Sequence, residues 1–265
     1  MQTPPEQKLN HVFYRDVLNI VRHAEIPFLI SGGFALQHFT GIQREVRDLD
    51  IFVLEKHVHA ALEALAEAGY PTELTFSHWL GKVYNHGRTE YVDLIFSSGN
   101  GLCKVTESWF ERAVPSEVFE MPVFLCAPEE MIWQKAFIME RERYDGADVA
   151  HLIRTQSDAI DWKRLIGLFG DHWRVLLSHV ILFEFIYPTE RAKIPRWVKH
   201  RLIVLLQREF GESFTDEQVC QGPLLSRSQF RVDTEHWGYK DARLNIMSAD
   251  EVAHWTKAAE EKEKP

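Results

Sequence analysis

Two acidic residues in the first fifth of the chain have a spacing that could do chemistry. Asp48 and Asp50 flank a leucine within an apolar run. On a β-strand, residues two apart project to the same face and lie about 7 Å apart, so both carboxylates could bind one divalent cation. Mg²⁺ is usually bound by one or two carboxylates together with the phosphates of a nucleotide. The spacing therefore predicts a metal site that works with a nucleotide.

A glycine turn precedes this acidic pair by one short helix. An apolar strand-like run at residues 27–31 ends at Ser31. Gly32 and Gly33 come next and precede a predicted helix at 34–39. Glycines at a helix N-terminus let backbone N–H groups approach a phosphate closely, because no side chain intervenes. We therefore predict that Ser31, Gly32 and Gly33 bind the phosphates of the nucleotide.

A third carboxylate, Asp93, lies in a second strand-like run at residues 91–96. If the two strands are neighbours, the three acids converge and could bind two metal ions, which would stabilise both the attacking and the leaving oxygen of an in-line displacement. Asp93 is then a candidate base for the incoming hydroxyl. The alternative is that Asp93 only forms a structural ion pair with Arg44 or Arg88.

The elements that would position these residues change character near Pro128. Before it, strand-like runs with period-two alternation, such as residues 47–54, alternate with helical stretches, which predicts a mixed β-sheet with flanking helices. After it, helical periodicity dominates, beginning with a helix predicted over residues 128–143. We predict an α+β fold with a catalytic domain at residues 1–127 and a helical domain at 128–265.

Composition excludes several classes of protein. The chain has 265 residues, 45% of them hydrophobic, which is enough for a core without disulfides, and its three cysteines have no metal-site spacing. A net charge of −9 provides no global positive field, which disfavours duplex DNA and membrane surfaces as partners. The longest apolar stretch, at residues 175–187, is short for a membrane span and is predicted to be a buried helix. The beginning of the chain has no secretory pattern, so we expect a cytoplasmic protein.

Together these motifs resemble the nucleotidyltransferase superfamily of the DNA polymerase β type, and in particular the minimal nucleotidyltransferases and the AbiEii-type toxin group. The resemblance covers residues 25–155. It rests on these residues: Gly32-Gly33-Phe34-Ala35-Leu36, Arg44, Asp48-Leu49-Asp50-Ile51, Asp93, Lys135, Arg141, Arg143, Asp145 and Asp148. Many members have Gly-Ser where this chain has Gly32-Gly33.

The resemblance implies a Mg²⁺-dependent enzyme that moves a nucleoside monophosphate from an NTP to a hydroxyl and releases pyrophosphate. Asp48, Asp50 and Asp93 would be the metal-binding acids. Ser31, Gly32 and Gly33 would bind the triphosphate, and Arg44 could neutralise phosphate charge. The helical domain, with Lys135, would close over the nucleotide.

The acceptor stays open at this point. A small hydroxylated molecule such as an aminoglycoside-like antibiotic, a side-chain hydroxyl on a protein, and an RNA end bound by a local basic cleft around Arg44, Arg47, Arg88 and Lys135 are all compatible with the sequence. A second hypothesis is a protein of this fold that binds a nucleotide or a partner without catalysis. A third is that the chain is the toxin of a toxin–antitoxin pair.

Overall fold

The computed structural model describes residues 11–46, 48–210 and 217–263, the last five of these by their backbone alone. Arg47, which was predicted to line a basic cleft, lies outside the described residues. The α-helices are α1 (His11–His23), α2 (Gly32–Thr40), α3 (Val58–Glu67), α4 (Glu107–Glu111), α5 (Pro128–Ala136), α6 (Gly146–Gln156), α7 (Trp162–Phe169), α8 (Trp173–Ile186), α9 (Arg196–Glu209), α10 (Arg231–Glu235) and α11 (Ala249–Glu263). The β-strands are β1 (Phe28–Ile30), β2 (Leu49–Val53), β3 (Thr72–Phe76), β4 (Leu80–Tyr84), β5 (Tyr91–Ile95), β6 (Val114–Val118), β7 (Met121–Leu125), β8 (Val219–Cys220) and β9 (Lys240–Asp241).

Seven of these strands form one mixed sheet in the order β3-β4-β5-β2-β1-β7-β6. The pairs β2/β5 and β1/β7 are parallel, and the other neighbours in the sheet are antiparallel. The predicted mixed sheet with flanking helices is therefore confirmed. Because β2 lies between β5 and β1, its residues are at the centre of the sheet.

Strand β2 keeps the predicted alternation around Asp50, but Phe52, on the same face as Asp50, is also buried. Leu49, Ile51 and Val53 are fully buried, whereas Asp50 between them is partly exposed. Burying each of those aliphatic side chains contributes about 2 kcal/mol, so a shift of β2 by one residue would expose three of them and bury an acid. The register of β2, and with it the direction of Asp50, is thus fixed by the core.

The chain divides into two compact units. Of the described residues, the first comprises those up to Gln37, those between Gln43 and Phe96, and Val105–Cys126, and it contains the whole seven-stranded sheet. The second comprises His38–Ile42, Ser97–Lys104 and the residues from Ala127 onward, and α5 to α9 pack together in it.

The buried helix predicted at residues 175–187 corresponds to α8. Among the described residues, the stretch Trp162–Ile186 has the length and apolarity of a membrane span by composition alone. It is not one helix, because α7 ends at Phe169, the following Gly170 has φ +46°, and a 3₁₀ turn precedes α8. Helix α8 buries Leu176, Val180 and Phe183 in the core of the second unit, as a core helix of a folded domain does.

The helix predicted over residues 128–143 is wrong in its length, because α5 ends at Ala136. The chain then reverses: the Asp145 N–H donates to the Ile138 carbonyl at 3.1 Å, and Met139 pairs with Tyr144 in an antiparallel bridge. This reversal of the chain brings Asp145 back beside the C-terminal end of α5. No glycine or proline marks the turn between Phe137 and Asp145, so the sequence carried no local signal for it.

Candidate metal and nucleotide site

Three carboxylates converge at the centre of the sheet. In the parallel pairing of β2 and β5, Asp50 lies directly opposite Asp93. One carboxylate oxygen from each of Asp48, Asp50 and Asp93 lies within 4.8 Å of the other two, and all three residues are partly exposed. In the part of the chain that the structure describes, no other three acidic, histidine or cysteine side chains come together in this way.

Asp48 reaches this cluster by a different route from the one predicted. The sequence analysis placed Asp48 and Asp50 on one strand, but β2 begins at Leu49 and Asp48 lies in the bend before it. The Asp48 carboxylate is also in contact with Tyr91, whose hydroxyl donates to Asp48 Oδ2 at 3.4 Å. The Asp48 carboxylate thus belongs to the cluster from a position just before the strand.

The glycine turn lies directly against one of these carboxylates. The Ser31 N–H donates to the Asp50 carbonyl at 2.9 Å, which continues the pairing of β1 and β2 by one residue. Gly32 has φ +57°, and a Cβ atom there would lie 1.7 Å from Asp50 Oδ2. A Cβ atom on Gly33 would lie 2.7 Å from Val46 Cγ2. Both positions therefore need glycine for the chain to pack this closely. Helix α2 begins at Gly32, two residues before the predicted start.

Lys82 and Tyr91 belong to the site, although the sequence analysis missed both. In the antiparallel pairing of β4 and β5, Lys82 lies opposite Asp93 and forms an ion pair with it. Lys82 Nζ also lies 4.0 Å from the centre of the Tyr91 ring, a cation–π contact. The sequence analysis predicted no strand that includes Lys82, so the register that aligns Lys82 with Asp93 could not be deduced.

The charge of the cluster acts on its aromatic neighbours. Burial, followed by the charges of Asp48 and Asp93, raises the pKa of Tyr91 to about 12. Burial, followed by the charges of Glu90 and Asp48, also raises the pKa of Tyr14. Both phenols therefore stay protonated at neutral pH, and Tyr91 is available as a hydrogen-bond donor to Asp48.

Arg44 and Lys135, the two cationic residues predicted to contact nucleotide, lie in different surroundings. Arg44 is exposed in the loop between α2 and β2, and its carbonyl accepts a hydrogen bond from Gln37 Nε2 at 2.6 Å. Lys135 belongs to the second unit and is nearly buried. Its Nζ donates to Asp145 Oδ2 at 2.8 Å and to Asp148 Oδ2 at 2.7 Å. A role for either residue in nucleotide binding stays a prediction.

The ion pairs of Lys135 with Asp145 and Asp148 make the stability of the protein depend on pH. Burial alone would raise the pKa of Asp145, but the hydrogen bond from Arg143 and the charge of Lys135 outweigh it and lower that pKa to about 2. The ordinary value is 3.8. The pKa of Asp145 is thus lower in the folded protein than in the unfolded chain. The ionised Asp145 carboxylate therefore stabilises the folded protein fully above about pH 4, and this stabilisation is lost as the pH falls through about 2.

We expect this loss to be about 2 kcal/mol of unfolding free energy. Chemical denaturation of the wild type and of Asp145→Asn at pH 5, 4, 3 and 2 measures it, because the variant lacks the titrating group. The stability difference between the two proteins should shrink by that amount across the series. A constant difference would show that Asp145 is not held ionised by Arg143 and Lys135.

Comparison with known proteins identifies the family of the chain. A family model described as an uncharacterised nucleotidyltransferase matches residues 9–168, which is more than half of the chain. No curated protein sequence matches the chain.

Solved structures resemble the chain only at low overall similarity. A lincosamide antibiotic adenylyltransferase with lincomycin bound is 16% identical with a TM-score of 0.39, and the match covers 55% of this chain and 96% of that one. An antibiotic-resistance factor, ANT(2″)-Ia, is 13% identical with a TM-score of 0.41, over 64% and 95% of the two chains. A putative nucleotidyltransferase from H. pylori is 16% identical with a TM-score of 0.39, over 79% and 99%. The family assignment therefore rests on the match to the family model.

Proposed function

The chain belongs to this nucleotidyltransferase family, and on that premise we propose that it transfers a nucleoside monophosphate from an NTP to an acceptor hydroxyl, with Mg²⁺ as cofactor and pyrophosphate as the second product. The observation that carries the proposal is the cluster of Asp48, Asp50 and Asp93. It lies at the centre of the sheet, beside a glycine turn that opens a helix.

The cluster has the chemistry that a magnesium site needs. Its three donors are all carboxylate oxygens, which are the hard ligands that Mg²⁺ prefers, and they lie within 4.8 Å of one another. When bound, the metal would neutralise charge on the phosphate oxygens and on the departing pyrophosphate. Without a cation nearby, like charges at these distances repel one another, so the cluster itself favours cation binding.

The three acids have different tasks in this proposal. Asp48 and Asp50 bind the metal directly. Asp93 was a candidate base for the acceptor proton, but its carboxylate already forms an ion pair with Lys82. In this proposal Asp93 completes the metal site when nucleotide is bound, and Tyr91 orients Asp48 through its hydroxyl hydrogen bond.

The glycine turn binds the phosphates. Helix α2 begins at Gly32, so the N–H groups of its first turn have no partners within the helix, and the helix dipole favours an anion there. Neither Gly32 nor Gly33 has a side chain to obstruct a triphosphate. Because Gly32 packs against Asp50, phosphate bound at this turn would lie beside the metal ligands.

The acceptor has one of three chemistries: a small hydroxylated molecule, a protein side chain or an RNA end. Incubating the protein with Mg²⁺, each NTP in turn and fractionated cell extract, while measuring pyrophosphate release, distinguishes them. Release that depends on one fraction names the acceptor class. If each NTP binds in the presence of Mg²⁺ but no fraction ever produces pyrophosphate, the proposal fails and the protein is a non-catalytic nucleotide-binding member of the fold.

A further inference from the structure

The metal site contains its own cation. Lys82 lies in a row with Asp93 and Asp50 across three neighbouring strands, because Lys82 is opposite Asp93 in β4/β5 and Asp93 is opposite Asp50 in β5/β2. Directly paired residues project to the same face of a sheet, so the ammonium group and both carboxylates share one face. The Lys82 and Asp93 side chains are only 18% and 14% exposed.

Lys82 is fixed at two points. Its Nζ forms the ion pair with Asp93, and it also lies over the Tyr91 ring at 4.0 Å. Tyr91 in turn donates to Asp48, so the same ring links the lysine to the other end of the cluster. An ammonium that is restrained in this way is a stable part of the site, unlike a solvated surface lysine, which pays side-chain entropy to form any ion pair.

Such an ammonium competes with a metal ion for one ligand. A carboxylate that accepts a short, charge-assisted hydrogen bond from Lys82 has less charge to offer a second cation. A divalent ion that approached Asp93 would also be repelled by Lys82.

We infer that Lys82 is a positioning residue that withholds Asp93 from divalent metal in the nucleotide-free protein, so that the resident metal site lacks this ligand until nucleotide binds. This inference rests on the proposed function and deepens it, because the two-metal arrangement expected from sequence becomes a one-metal arrangement before nucleotide binds. The incoming triphosphate carries the negative charge that can take Lys82 from Asp93.

Mn²⁺ binding to the nucleotide-free protein tests this inference without any turnover. The electron paramagnetic resonance signal of free hydrated Mn²⁺ disappears on binding, so a titration gives affinity and stoichiometry. Lys82→Met keeps an apolar stem over the Tyr91 ring and removes the charge. We expect it to bind Mn²⁺ about tenfold more tightly than the wild type, or to bind a second ion. Lys82→Arg keeps the charge and should restore wild-type binding.

A second pair of variants separates an effect through Asp93 from a general effect of charge. In an Asp93→Asn background, Lys82→Met should gain much less, because only the repulsion by the ammonium is removed and the ligand that it would release is absent. An equal gain in both backgrounds, or no gain from Lys82→Met in the wild type, would overturn the inference. Thermal unfolding of each variant shows that it is folded.

The same titration keeps this inference apart from the proposed function. Asp48→Asn/Asp50→Asn should lose the resident Mn²⁺ ion. If it does, and Lys82→Met behaves as the wild type, the lysine's role is refuted while the metal site stands. If the double variant binds Mn²⁺ as well as the wild type does, the metal site of the proposed function is itself refuted.

Discussion

An Asp48→Asn/Asp50→Asn variant is expected to lose nucleotide transfer by a factor on the order of a thousand or more. Asparagine keeps the size of each side chain and removes the charge that binds the metal. The fold should survive, because both residues are partly exposed and the core face of β2 is unchanged. Removing two of three like charges within 4.8 Å should leave the melting temperature equal or higher.

The matched control removes two carboxylates from the same unit without touching the cluster. Glu63 and Glu67 are exposed on α3, so Glu63→Gln/Glu67→Gln changes the net charge by the same amount. It should transfer nucleotide as the wild type does. Retention of transfer by the Asp48/Asp50 variant, with Mg²⁺ present and the acceptor saturating, would contradict the assignment of these acids.

Gly32→Ala is expected to disable the site through the backbone. A Cβ atom at this position would lie 1.7 Å from Asp50 Oδ2, so either the Asp50 carboxylate or the turn must move. Alanine at φ +57° adds about 1–2 kcal/mol of backbone strain. We expect transfer to fall about a hundredfold or more, since displacing a catalytic group by about 1 Å has such an effect.

Gly41→Ala separates the effect of backbone strain from the effect of displacing the Asp50 carboxylate. Gly41 has φ +70°, but a Cβ atom there would have nothing within 4 Å. Both variants should therefore lose a similar amount of backbone stability, whereas only Gly32→Ala should lose transfer and metal binding. Equal activities in the two variants, measured by transfer rate and by Mn²⁺ titration, would show that Gly32 is not required to make room for Asp50.

The parts of the fold that the sequence predicts are those determined by local pattern. The alternation around Asp50 identified β2, because an acid between buried aliphatic residues reports the two faces of a strand directly. Helix α8, which spans Trp173–Ile186, was predicted from the apolar stretch at residues 175–187. The mixed sheet could be predicted because such strands and helices, and their order along the chain, could be identified from the sequence.

The parts that sequence could not predict depend on distant partners. Strand β6 and its hairpin to β7 were missed because the turn consists of Phe119 and Glu120, which both have positive φ although neither is a typical turn residue. Lys82 was missed because its importance lies in the alignment of β4 with β5. The early end of α5 depends on the return of Asp145 to Lys135, which is tertiary structure.

Parallel reactions with ATP labelled at the α-phosphate or at the γ-phosphate, or with whichever NTP releases pyrophosphate, test the central claim most directly. Nucleotidyl transfer breaks the bond between the α- and β-phosphates, so the α-label should join the acceptor and the γ-label should leave entirely as pyrophosphate. Asp48→Asn/Asp50→Asn should abolish both products. Transfer of the γ-label to the acceptor, or release of the γ-label as free phosphate, would show that the carboxylate cluster serves a different reaction.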